Sequence, residues 1–186
     1  MSSVTDICNQ ALAKVGDELI SCLSDLSSKQ ARYCRMLYAP TRDAVLRAHP
    51  WNFAIERVEL AQLSAAPAYE YSYQFQLPTD CLRVLQMEEV DMIFKIEGGK
   101  LLTDEGAAKI KYIKRVTNSA LFDSLFITAL SARLAAELAV PLADSKTLSE
   151  TLWQLYIKKI GEARGIDAQE GTPDDIPADT WLDSRL

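Results

Sequence analysis

One histidine, a few adjacent carboxylates and four cysteines are the side chains of this chain with which chemistry could be done. A nucleophilic triad needs a base beside the nucleophile, most often a histidine. His49 is the single candidate, and it stands directly before Pro50. That position suits a helix cap or a packed ring as well as a general base. Glycoside hydrolysis asks for less: two carboxyl groups held a fixed distance apart. Adjacent acids occur at Glu88-Glu89, Asp104-Glu105 and Asp174-Asp175, in a chain with 26 acidic residues. With so many acids, a solvated surface accounts for such neighbours without catalysis. Cys8, Cys22, Cys34 and Cys81 lack the spacing of a zinc site, and one histidine does not complete them. They are expected to act as thiols and small apolar residues. No P-loop, dinucleotide fingerprint or G-x-S-x-G motif occurs, and Gly98-Gly99 reads as a turn. The residue types point to no catalytic, cofactor-binding or metal-binding set.

Charge narrows the partners. The 20 basic and 26 acidic residues leave a net charge of -6, which gives no general attraction to nucleic acid or to an anionic membrane. Basic residues gather only locally, at Arg32, Arg35, Arg42 and Arg47 and at Lys109, Lys111, Lys114 and Arg115. No run approaches the roughly 20 apolar residues of a membrane span. The start of the chain has neither the basic nor the apolar part of a signal peptide. The expectation is a protein that stays in the cytoplasm where it is made.

The elements that would position these residues follow from periodicity. Ile7, Ala11, Leu12 and Val15 recur at helical spacing, with Thr5 or Asp6 as N-cap and Gly16 just past the end. The connection after Gly16 is expected to rest on the core through Leu19, Ile20, Leu23 and Leu26. A second helix covers about 28–48 on a seam of Ala31, Cys34, Tyr38, Thr41, Val45 and Ala48, with its arginines and Asp43 on other faces. Pro40 should kink it, or end it near Tyr38 and begin another. The break at His49-Pro50 places Trp51 and Phe53 on one side of an extended segment, as structural anchors of a corner.

The period then changes. Tyr69, Tyr71, Tyr73, Phe75 and Leu77 alternate with polar residues as a strand. Further strands are expected at 81–88 and 92–97, with a Gly98-Gly99 hairpin into 100–103. A last strand near 109–114 should have one wet face formed by its lysines. From Asp123 to Ala139 apolar residues cover most of a helix, so it should be the central buried one, with Pro141 after its end. A fourth helix, about 145–168, carries an inner stripe of Leu148, Leu152, Leu155, Tyr156, Ile160 and Ala163. Residues 171–186 hold two prolines, four aspartates and one arginine, and read as a mobile arm. Trp181, Leu182 and Leu186 stand near its very end as apolar anchors, and are candidates for contact with a partner.

The fold class expected is therefore α+β: a four-helix core from two N-terminal and two C-terminal helices, an inserted small antiparallel β module, and a flexible C-terminal arm. The divisions are 1–56 and 121–168 for the two halves of the core, 57–120 for the β module and 169–186 for the arm.

Several segments also carry a resemblance. They are Ile7-Cys8-Asn9-Gln10-Ala11-Leu12-Ala13-Lys14-Val15-Gly16, and Arg42-Asp43-Ala44-Val45-Leu46-Arg47 running into His49-Pro50-Trp51-Asn52-Phe53. Next come Ile96-Glu97-Gly98 before Leu101-Leu102-Thr103, Tyr112-Ile113-Lys114-Arg115-Val116 and Phe122-Asp123-Ser124-Leu125-Phe126. The last is Ala132-Arg133-Leu134-Ala135-Ala136-Glu137-Leu138-Ala139. In order and spacing these resemble the tail tubular protein A family of short-tailed bacteriophages, the adaptor or gatekeeper proteins below the portal. The resemblance implies a structural virion protein rather than an enzyme. It implies a ring of copies, commonly dodecameric, that touches the portal protein, the tail nozzle of tubular protein B and the tail fibre. Double-stranded DNA would pass through it without sequence specificity, with Arg32 and Arg35 as candidates to face the channel. No cofactor and no membrane are implied, and the protein would reside in the virion tail. The alternative is a tail-associated glycan hydrolase acting on peptidoglycan or capsule, because some adaptors have been proposed to attack glycans.

Overall fold

In the computed structural model, which describes residues 2–25, 27–89 and 91–170, the chain is α+β, with four helices and two small antiparallel three-stranded sheets. Helix α1 (Val4–Val15) starts at Ser3, not at Thr5 or Asp6. The Ser3 hydroxyl accepts from the Asp6 N–H, and the Asp6 carboxylate accepts from the Ser3 N–H, a reciprocal box that satisfies two donors. Gly16 closes the helix with φ 83°, a conformation that needs no Cβ. In the connection that follows, Ile20 is buried and Leu23 half-buried, but Leu19 faces solvent. The Asn9 amide clamps Ile20 from both sides, donating to its C=O and accepting from its N–H at 2.9 Å each. Leu26 lies outside the described residues.

Helix α2 (Lys29–Ala48) runs without interruption through Pro40, so no second helix begins there. Its seam is buried from Ala31 to Val45, but Ala48 is exposed and Arg42 is not on an outer face. Arg42 is buried against Asp43, 2.7 Å away, and Asp43 also accepts from Arg115 Nε at 2.8 Å. One carboxylate thus joins the helix to the segment after the last strand.

Helix α3 (Ser124–Ala143) begins at Asp123, whose carboxylate accepts from the N–H groups of Leu125 and Phe126. It does not stop before Pro141: the last turn continues to Ala143, and Asp144 in the left-handed region donates back to Ala139 and Val140. A proline in the last turn costs little when the cap supplies the final bonds. By length and composition α3 is a helix that could cross a membrane, yet most of it is buried here against α1, α2 and α4. Helix α4 (Lys146–Asp167) is capped by Ser145 and lies along α3.

The first sheet has the order β1-β6-β3, from β1 (Ile55–Glu59), β3 (Cys81–Met87) and β6 (Lys109–Lys114). Strand β1 lies outside the strands expected from periodicity, since Ile55 to Glu59 does not alternate strictly. The second sheet has the order β2-β5-β4, from β2 (Tyr73–Gln76), β4 (Phe94–Glu97) and β5 (Lys100–Thr103). The expected strand at 69–77 is thus cut to its second half. Glu70 takes φ 76°, and Ser72 is held by two hydrogen bonds to the Asp104 carboxylate instead of a strand partner. The last strand is not wet on one face along its length. It is the centre of its sheet, with Leu82, Leu85 and Ile113 packed into the helical core. On the other face Val58, Val84, Ile110 and Tyr112 meet Phe75 and Leu101 of the second sheet. The first sheet therefore lies between the helices and the second sheet.

Candidate partner interface

Several hydrogen bonds and aromatic contacts converge at the corner between α2 and β1. His49 precedes a proline and is pushed to extended backbone, φ -147° and ψ 145°, which ends α2. The chain turns back so that Trp51 is fully buried and its indole N–H donates to the Val45 C=O at 3.0 Å. That carbonyl lies in the last turn of α2, where intrahelical donors run out. Phe126 meets Trp51 edge-on at 5.1 Å between centroids, and half-buried Phe53 packs against Phe122 and Phe126. His49 Nε2 lies 3.0 Å from Asp167 Oδ2, while Asn52 donates to the Asp167 carboxylate and to its backbone oxygen. Burial pushes the His49 imidazole below its ordinary range, and the Asp167 carboxylate works against that. Among the described residues no hydroxyl or thiol hydrogen-bonds this ring. The His-Asp pair ties the end of α4 to the corner and does not form a relay to a nucleophile.

The acidic pairs are dispersed. Glu88 is exposed and ion-paired to Lys109 at 3.0 Å, and Asp104 is spent on Ser72. Asp174-Asp175 lie outside the described residues, as do Trp181, Leu182 and Leu186. Among the described residues no three His, Cys, Asp or Glu side chains converge as a cation site. Cys8 and Cys34 are buried in the helical core, where the hydrogen bond to Cys34 and burial push the Cys8 thiol up. Cys22 is exposed, its thiol drawn down by a hydrogen bond with Ser24. Arg32 and Arg35 are exposed on α2, and with Lys29 they form a basic strip. Lys29 lies over the Tyr33 ring, and none of the three makes an ion pair among the described residues.

A surface that the sequence reading missed lies on the outer side of α3 and α4. Trp153 is 38% exposed, Ile157 49% and Val140 43%, although large apolar side chains line the inner side of both helices. Trp153 and Ile157 are one turn apart, next to the buried stripe rather than on it, so they share a face. The Arg133 guanidinium lies 5.1 Å from the Trp153 ring and 5.3 Å from the Tyr156 ring, which holds the indole in place. Beside it is a groove of about 370 Å³ lined by Val140, Trp153 and the charges of Glu137, Lys146 and Glu150. A preset aromatic at the edge of a groove with a polar rim is the arrangement that protein interfaces use. The signal for it was present in the sequence, as a tryptophan and an isoleucine four apart and off the inner stripe.

No protein-family model and no curated protein matches this chain.

Proposed function

We propose that this chain is a structural assembly subunit, the adaptor or gatekeeper ring that joins the portal of a short-tailed bacteriophage to its tail nozzle. In this reading copies of the chain form a ring, of dodecameric order in the family it resembles, and DNA passes through the centre. The helices form a four-helix core and the β strands an inserted module. The divisions are 1–56 and 121–168 for the core, 57–120 for the module and 169–186 for an arm. Trp181, Leu182 and Leu186 of that arm are the contacts with the portal or a neighbouring copy. The protein resides in the virion tail.

The observation that carries this reading is the exposed apolar face of Val140, Trp153 and Ile157. An indole held in place outside the core loses little freedom when a neighbour covers it. The basic strip of Lys29, Arg32 and Arg35 agrees with a channel wall that meets phosphates without gripping them, since three charges give few counterion-releasing contacts. The ordered segments that resemble tail tubular protein A supply the partner.

The test is electron microscopy of the full chain mixed with a portal ring. The expected result is a second ring stacked on the portal, lost in the Trp153→Asp/Ile157→Asp variant while its circular dichroism stays helical. A chain that never associates with a portal, or a double variant that still forms the ring, overturns the proposal.

A further inference from the structure

We propose that strand β4 is a docking edge for the β4 strand of a second copy of this chain, paired antiparallel about a two-fold axis at Ile96. The second sheet has two edge strands, β2 and β4. Gly98 and Gly99 form a two-residue turn with φ 54° and 75°, so Glu97 and Lys100 are the first hydrogen-bonded pair of the hairpin. The alternation then makes Lys95 and Leu102 the next such pair. The N–H and C=O groups of Phe94 and Ile96 consequently point away from β5.

The opposite edge of the sheet shows the same rule, already satisfied. There Gln74 and Gln76 point outward from β2, and the chain covers them itself: Leu63 N–H donates to Gln74 C=O at 2.9 Å, and Gln76 N–H donates to Ala61 C=O at 3.1 Å. At β4 no such strap exists among the described residues. Backbone groups at an open edge are a template for another strand. The apolar side chains there are exposed too, Ile93 at 76% and Ile96 at 44%.

The side chains select a second copy as the occupant. With Ile96 opposite Ile96, the two residues exchange both of their outward hydrogen bonds and their side chains meet on the same face. Lys95 of each chain, which also pairs with Glu70 of its own chain at 3.2 Å, then stands opposite Glu97 of the other, in the closer, non-hydrogen-bonded type of pair. Ile93 falls opposite Gly99, where no side chain competes and the space a Cβ would enter is open to 4 Å. The edge is thus complementary to itself in hydrogen bonding, charge and bulk, and the result is one six-stranded sheet across two chains. Such a contact is closed and stops at two copies. It is independent of the ring reading, which needs a head-to-tail contact elsewhere.

The test is sedimentation velocity of the full chain over a concentration series. The expected result is a monomer–dimer equilibrium, lost in Ile96→Pro. This proline removes an N–H that has no partner among the described residues, so the melting curve should stay close to the parent's. As a second arm, Lys95→Glu should weaken the dimer and Lys95→Glu/Glu97→Lys should restore it. A chain that stays monomeric at its highest soluble concentration overturns the proposal. So does an assembly state that Ile96→Pro leaves unchanged, or a charge swap that does not restore pairing; either result leaves the ring reading standing, because the Trp153 face is untouched.

Discussion

Replacing Trp51 with alanine should produce one of the largest single-residue losses of stability in this chain. The indole is fully buried, where a tryptophan removes about 150–250 Å² from water. At about 25 cal/mol per Å² that burial corresponds to roughly 4–6 kcal/mol. The hydrogen bond to the Val45 carbonyl contributes about 1 kcal/mol more, and the edge contact with Phe126 a similar amount. Partial collapse of the site returns some of this, and tryptophan-to-alanine changes in cores typically cost about 3–5 kcal/mol. For a chain of this size each kcal/mol lowers the melting temperature by about 2–4 °C, so a fall of about 6–20 °C is expected. Trp51→Phe separates the terms: it keeps most of the ring and loses the N–H, and should cost about 1–2 kcal/mol. Urea titration followed by circular dichroism measures both, with the midpoint falling and the slope unchanged. If the parent is too weakly stable for Trp51→Ala to fold, Trp51→Phe carries the measurement. A Trp51→Ala protein that melts within about 2 °C of the parent refutes the assignment of this ring as the centre of the corner.

Three further outcomes follow from the same geometry. Because burial lowers the His49 proton affinity in the fold, the native chain binds fewer protons at this site than the unfolded one. Its stability should be complete above the ordinary histidine value of about 6.5 and decline as the pH falls through it towards the lower folded value; melting temperatures of His49→Gln should lack this step, and an identical pH profile in both proteins counts against it. Thiol labelling of the native protein should show one fast cysteine, Cys22, with Cys8 and Cys34 reacting only on unfolding; Cys22→Ser must abolish the fast phase. Excising 62–115 with a short Gly/Ser linker should leave helical circular dichroism but a lower melting temperature, since Leu82, Leu85 and Ile113 leave the helical core with it. An unchanged melt would mean that the sheet contributes nothing to the helices.

Local rules sufficed wherever a residue's environment is made by its near neighbours. The helical seams of α1, α2, α3 and α4, the Gly16 cap, the hairpin at Gly98-Gly99 and the break at His49-Pro50 could all be read from spacing, because a period of 3.6 or 2 and a proline act within a few residues. Three-dimensional contacts decided the rest. Arg42 is buried against the Asp43 carboxylate, which it shares with Arg115, 72 residues from Asp43, and no local pattern announces that second partner. The run from Tyr69 keeps its alternation on paper, yet only Tyr73–Gln76 finds a strand to pair with. The central position of β6 follows from β1 and β3 flanking it, which required that the chain after Trp51 turn into a strand at Ile55. The exposed Trp153 and Ile157 face and the uncovered edge of β4 are likewise products of packing. Hydrophobic periodicity says which side of an element is apolar; only the assembled fold says which apolar side and which backbone edge are left without cover.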